Sequence, residues 1–197
     1  MTLRPRDVAD LAVSFPVEGK VVYDVLSQEE YELLKQGMTR VRDLLICKML
    51  RGTGLRINEL MRLQPEQVKV NGPEVSVMIR RSKRPQAVWE YVPIQPTLGV
   101  ELVDWIKGNA IRPGAKVFAV SDRQVRRVFA EAGRRGIGRP VHPHELRGLY
   151  IKTMLDGGLP VAVAAKMVGH ADVRTTMKHY YELTAAQRRE IQRRIPV

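Results

Sequence analysis

Glu74-Val75-Ser76-Val77-Met78-Ile79-Arg80 places Val75, Val77 and Ile79 at every second position, the period that marks a strand with one buried face. A cationic stretch, Arg81-Ser82-Lys83-Arg84-Pro85-Gln86, interrupts the run, and the strand signal returns through Val88, Tyr91, Val92 and Ile94. The two runs read as a β-hairpin with a cationic tip. On both sides of it the period is helical.

Upstream, Ser27 and Glu30 form a capping-box pattern that opens a helix running to about Lys35, and Gly37 breaks it. Val41, Leu44, Leu45, Lys48 and Met49 then space as one helical face up to Gly52-Thr53-Gly54, and a short helix carrying Arg56, Ile57, Glu59, Leu60 and Leu63 stops before Pro65. Downstream, Leu98 to Lys107 resumes helical spacing, and Ser121 with Gln124 caps a very basic helix holding Arg123, Arg126 and Arg127. Gly133 to Pro140 reads as a loop. Helices are expected over about 143–156, 160–168, 172–181 and 185–194. Residues 1–26, with Pro5 and Pro16 and no sustained period, form an N-terminal arm. The expected fold class is α+β: one mainly α domain with a small antiparallel β-sheet over 27–183, followed by a helical tail over 184–197.

The 197 residues hold 33 Lys and Arg against 21 Asp and Glu, a formal net charge of +12, and about two thirds of that excess falls after residue 120. Such a field points to a polyanion, most often nucleic acid, although solvated basic faces give the same count. Cys47 is the only cysteine. That excludes an intramolecular disulfide and a Cys-rich zinc module, and makes a reducing cytoplasmic setting the expectation. No apolar run approaches the ~20 residues of a membrane-spanning helix, and the N-terminus shows no signal-peptide pattern.

Four local patterns carry polar chemistry. In Thr53-Gly54-Leu55-Arg56-Ile57-Asn58-Glu59-Leu60 an arginine follows a glycine turn at a helix start, which alone is an ordinary capped helix. In Pro143-His144-Glu145-Leu146-Arg147, His144 and Arg147 stand at i and i+3 near a helix N-terminus, where amides and dipole favour an anion. Gly169-His170 separates two helices, and Lys178-His179-Tyr180-Tyr181 follows on the second. Each has a structural explanation by itself. Their order and spacing together do not.

Thr-Gly-Leu-Arg-x-x-Glu-Leu, a hairpin with Ser-Lys at its tip, His-x-Leu-Arg, and Gly-His with a tyrosine closely downstream resemble, over about Leu26 to Thr184, the catalytic domain of the tyrosine recombinase (phage integrase) family. The resemblance implies DNA strand cleavage and rejoining through a covalent tyrosine intermediate. Carried over residue by residue, the catalytic set is Arg56, Lys83, His144, Arg147, His170 and Tyr180, with Glu59 orienting Arg56. Lys83 is chosen over Arg80, Arg81 and Arg84 because Ser82-Lys83 is similar to the Ser-Lys tip of phage-type members. Many members place the tyrosine nine residues after the second histidine, which here is His179; the Lys-His-Tyr variant with one extra residue selects Tyr180 over Tyr181. Gly148 stands where the family often has a histidine, a position expected to be structural.

The residue types suit that chemistry. A tyrosine with a pKa of about 10 is only about one part in a thousand phenolate at neutral pH, so it needs a base as it attacks phosphorus. Arg56 and Arg147 supply forked donors for the charge that builds on the phosphoryl oxygens, and His170 adds a hydrogen bond. His144 is placed to take the Tyr180 proton and Lys83 to protonate the leaving 5′ oxygen. No metal and no nucleotide cofactor are then expected, since the bond energy is conserved in a 3′-phosphotyrosine.

Arg81 and Arg84 at the hairpin tip, Arg123, Arg126 and Arg127 on the basic helix, and Arg134, Arg135 and Arg139 in the next loop are candidates to contact double-stranded DNA. The tail, with Ile191 and Ile195 beside Arg188, Arg189, Arg193 and Arg194, is amphipathic. In the family such a tail often docks on a neighbouring protomer of a DNA-bound tetramer; packing on its own domain remains the alternative. Members typically carry an N-terminal DNA-binding domain of about a hundred residues. Here 26 residues stand in its place, so the expectation is either a minimal recombinase or a piece of a longer one, with a weaker grip on DNA. A type IB topoisomerase-like relaxing enzyme and a catalytically inactive DNA-binding regulator of the same fold stay open as alternatives, as does the biological event served.

Overall fold

The computed structural model describes residues 25–81 and 88–169. The arm before Val25, most of the hairpin tip, and the expected helices 172–181 and 185–194 lie outside the described residues. The first helix, α1 (Gln28–Gln36), opens on the expected capping box: the Ser27 hydroxyl accepts from the Glu30 amide at 3.1 Å and the Glu30 carboxylate accepts from the Ser27 amide at 2.9 Å. Helix α2 (Val41–Thr53) ends on Gly54, whose φ of 62° is the left-handed value that closes a helix at glycine. The short α3 (Ile57–Leu60) follows at once.

The sheet has three strands rather than the two of a hairpin. Strands β1 (Val68–Asn71), β2 (Glu74–Arg81) and β3 (Val88–Ile94) run antiparallel in that order, with Asn71 paired to Glu74 and Arg81 to Val88. β1 is nearly all exposed and so shows no hydrophobic alternation to read. In β2, Val75, Val77, Ile79 and Arg81 are buried, whereas Glu74 and Arg80 are exposed. The inward face packs on a core that runs through Leu34, Ile46, Leu50, Leu102, Phe118, Phe129 and Leu146.

Helix α4 (Pro96–Gly108) extends the expected 98–107 by a turn, and α5 (Asp122–Ile137) starts at the expected Ser121 cap. The expected loop from Gly133 to Pro140 is a correction: the helix continues to Ile137 and breaks only at Gly138, at φ 82°. Gly136 reads as a breaker in sequence but serves a close approach. A Cβ there would fall inside contact distance of the Leu33 carbonyl on α1, and Gly37 meets Ala132 in the same way. The two backbones touch because neither has a side chain between them. Gly136→Ala is expected to destabilise the protein by about 1–3 kcal/mol, the usual cost of overpacking against atoms that cannot rotate away. The check is a lower urea midpoint with unchanged slope; an unchanged midpoint would mean that α1 slides freely on α5.

Helices α6 (Pro143–Asp156) and α7 (Val161–Val168) lie where expected, separated by Gly157 and Gly158. Ile151, Met154, Ala164 and Val168 form a small apolar cluster that fastens α7 to α6. This fixes where α7 ends. Among the described residues no helix is long and apolar enough to cross a membrane.

Candidate active site

The last turn of α7 is where the site converges. A helix end leaves its final carbonyls without partners inside the helix, and the three successive carbonyls here accept from three arginines on three different elements. Arg81, at the end of β2, donates Nη2 to Met167 O at 3.2 Å. Arg147, on α6, donates Nη2 to Val168 O at 2.6 Å. Arg56, just before α3, donates Nη2 to Gly169 O at 3.3 Å. Gly169 closes α7 at φ 68°, and a Cβ on it would lie 2.7 Å from the Arg81 Nε, so only glycine lets the turn sit on that guanidinium.

Arg147 is 1% exposed and, among the described residues, the largest fully buried side chain. Its Nη1 reaches the Gly54 carbonyl at 2.5 Å, so one guanidinium joins the C-terminal ends of α2 and α7. The negative ends of two helix dipoles are a favourable place for a buried cation. Sequence patterning alone brings Arg56 and Arg147 no nearer than ninety-one residues; this turn brings both to adjacent carbonyls.

The Glu59 carboxylate lies against Arg56. Glu59 accepts from the Arg56 backbone amide at 2.8 Å and pairs with Arg56 Nη1 at 3.0 Å. The same carboxylate pairs with Arg81 Nη1 at 3.1 Å, and Arg81 Nε pairs with Glu90 at 3.1 Å. His144 is exposed in the first turn of α6, one turn before Arg147. Tyr150 packs its ring against Gly54, and burial raises its hydroxyl pKa above the usual tyrosine value, opposed by Arg51 and Arg81. Cys47 is fully buried, its thiol pushed up to about 12 by burial, which leaves it inert at neutral pH. Lys83, His170, Tyr180, Tyr181 and Arg84 lie outside the described residues.

Three of the expected DNA contacts also have partners within the protein. Arg81 is 2% exposed, turned inward with Val75, Val77 and Ile79, and held by two carboxylates. Arg135 donates Nη2 to Gly37 O at 2.7 Å, closing the C-terminus of α1. Arg139 bridges Glu30 and Glu145, the carboxylates that cap the starts of α1 and α6. Arg123, Arg126, Arg127 and Arg134 are exposed on α5. Arg126 and Arg127 stand 3.8 Å from Asp122 and Glu131, pairs too open to water to hold them.

Glu90 and the structural role of Arg81 were not anticipated from sequence. A signal for Arg81 was present: it is in phase with Val75, Val77 and Ile79, and a residue on that phase faces the core. Glu90 carries no comparable signal, because its place beside Arg81 depends on the pairing of β2 with β3.

The chain is 27% identical to the tyrosine recombinase XerC of Staphylococcus carnosus over 154 residues, covering 73% of this chain and 50% of that protein. It is 30% identical to the tyrosine recombinase XerD of Corynebacterium glutamicum over 206 residues, covering 94% and 66%. The chain thus spans about half the length of the first curated relatives it matches. Its fold is shared with the crystal structure of XerA recombinase, at a TM-score of 0.70 and 23% identity over 91% of this chain and 68% of that one. It is shared also with XerH site-specific recombinase bound to its difH substrate in a pre-cleavage complex, at 0.67 and 18%, covering 90% and 56%. Residues 24–187 match the phage integrase family, and with its arginines gathered at one helix end the chain belongs to that family, the tyrosine recombinases.

Proposed function

We propose that this chain cleaves and rejoins double-stranded DNA as a site-specific recombinase, with Tyr180 as nucleophile. The observation that carries the reading is the pairing of Arg56 and Arg147 with adjacent carbonyls of the turn that immediately precedes His170. Tyr180 attacks the scissile phosphorus as His144 takes its proton. Charge rises on the non-bridging oxygens, where Arg56, Arg147 and His170 donate. A buried guanidinium is poorly screened, so Arg147 acts strongly on an oxygen that reaches it. The 5′ oxygen leaves with a proton from Lys83, giving a 3′-phosphotyrosine and a free 5′-hydroxyl. A 5′-hydroxyl of another duplex then attacks the phosphotyrosine, and Tyr180 leaves. Neither metal nor nucleotide enters this balance.

Arg123, Arg126, Arg127 and Arg134 hold the duplex along α5, with Arg84 contributing from the hairpin tip. Exchange between two duplexes calls for four copies, the tail 184–197 of one docking on the next, and the substrate places the enzyme in the cytoplasm on the nucleoid. A nicked suicide substrate, from which the cleaved 5′ end diffuses away, tests the reading. Wild type forms a covalent protein–DNA adduct and Tyr180→Phe forms none. An adduct that survives in Tyr180→Phe and disappears in Tyr181→Phe transfers the role to Tyr181. No adduct from wild type that binds DNA leaves a DNA-binding regulator. Adduct and relaxation without strand transfer between two labelled duplexes would instead mark a topoisomerase-like enzyme.

A further inference from the structure

Arg81 carries a charge closed off from solvent. Its side chain is 3% exposed, and its donors go to Glu59, Glu90 and the Met167 carbonyl. With Nη1 on Glu59, Nε on Glu90 and Nη2 on the Met167 carbonyl, its fork is taken up by the protein itself, which gives it a task inside the fold. We infer that Arg81 is a positioning residue for Arg56, acting through Glu59; this rests on the proposed cleavage reaction.

The relay can be followed atom by atom. Glu59 Oε1 pairs with Arg56 Nη1 at 3.0 Å, while Oε2 takes both the Arg56 amide at 2.8 Å and Arg81 Nη1 at 3.1 Å. Arg56 is a long side chain, 21% exposed, and with Glu59 as its only carboxylate partner among the described residues it depends on where that carboxylate points. Glu59 cannot swing toward solvent without leaving Arg81 short of a counter-charge in a site that excludes water, which is costly. Arg81 itself is held from three directions, by α3, β3 and the end of α7. Arg81 and Arg56 also donate to Met167 O and Gly169 O, on either side of the carbonyl that Arg147 takes. One buried arginine thereby fixes the sheet, α3 and the α7 turn in a single register around Arg56. Preorganisation of this kind matters because donors must already face the oxygens where charge develops.

The test is a double-mutant cycle on adduct formation with the nicked substrate, in single turnover, beside affinity for the intact duplex. Arg81→Gln is expected to slow adduct formation by ~10–100-fold with affinity for the duplex within ~3-fold of wild type and an unchanged salt dependence. In an Arg56→Ala background, Arg81→Gln is expected to slow it no further, because the residue it positions is gone. Arg81→Lys recovers part of the rate by keeping a charge on Glu59. Rate losses that multiply in the double variant would reduce Arg81 to a purely structural role, and an unaltered rate in Arg81→Gln sinks the inference outright. Weaker binding with a salt slope smaller by about one would make Arg81 a phosphate contact after all. Should Arg81→Gln fail to fold, Glu90→Gln loosens the same arginine from its exposed side and is carried through the same cycle. Wild-type protein that binds DNA without forming an adduct overturns the cleavage reading and this inference with it, whereas wild-type cleavage with multiplying losses overturns this inference alone.

Discussion

Arg147→Lys is expected to lower the adduct-forming rate by ~10²–10³ and the folding free energy by about 1–3 kcal/mol, although it keeps the positive charge. Arg147 joins the Gly54 and Val168 carbonyls through two separate nitrogens of one planar fork. An ammonium is a single point on a shorter stem and cannot span both. One helix end loses its partner inside the core, and an unsatisfied buried carbonyl costs about 1–3 kcal/mol. The α7 turn is freed from α2 by the same change, so the adjacent Arg56 contact with Gly169 loosens. Urea denaturation and single-turnover adduct formation read the two losses separately. A variant as stable as wild type would mean that this guanidinium does not join the two helix ends.

The second large effect is at Glu59. Glu59→Gln preserves shape and removes the charge that Arg56 and Arg81 share. Both Glu59 and Arg81 have side chains no more than 4% exposed, and breaking such a pair from one side typically costs about 3–5 kcal/mol. Against a usual total of about 5–15 kcal/mol, the variant is expected to lose a large share of its stability and to melt well below wild type. The adduct rate falls with it. Combining Glu59→Gln with Arg81→Met also removes the buried guanidinium that is left with Glu90 for a carboxylate partner, so the double variant is expected to regain part of the stability without regaining rate. Thermal melting alongside adduct formation separates the two, and recovery of both together would place Glu59 outside the positioning of Arg56.

Helices, caps and the hydrophobic strands were legible from local pattern, because caps and periodicity act over a few residues: Ser27 with Glu30 and Ser121 with Gln124 behave as their spacing implies. Three features were not legible. β1 is an exposed strand whose residues carry no burial signal, so only its pairing with β2 reveals it. Gly136 has the sequence character of a loop but is helical, because what it answers to is the Leu33 carbonyl on α1. Arg135 and Arg139 look like any other cations of a basic protein, yet each is drawn to an acceptor far away in sequence, Gly37 and Glu30; Arg81 shares the buried phase of its strand, but its partner Glu59 lies outside any local pattern.

Among the described residues, the sequence by itself determined the helices and the strands β2 and β3 in their order, and the ordered set Arg56, His144 and Arg147 that marks the family, since these depend on residue type and short spacing. Which acceptors each arginine meets was decided by tertiary structure. A guanidinium is the same donor wherever it stands; its role follows from the acceptors it meets and the water it loses. Those are set when the end of α7 closes against β2, α3 and α6, bringing Arg81, Arg56 and Arg147 onto three successive carbonyls.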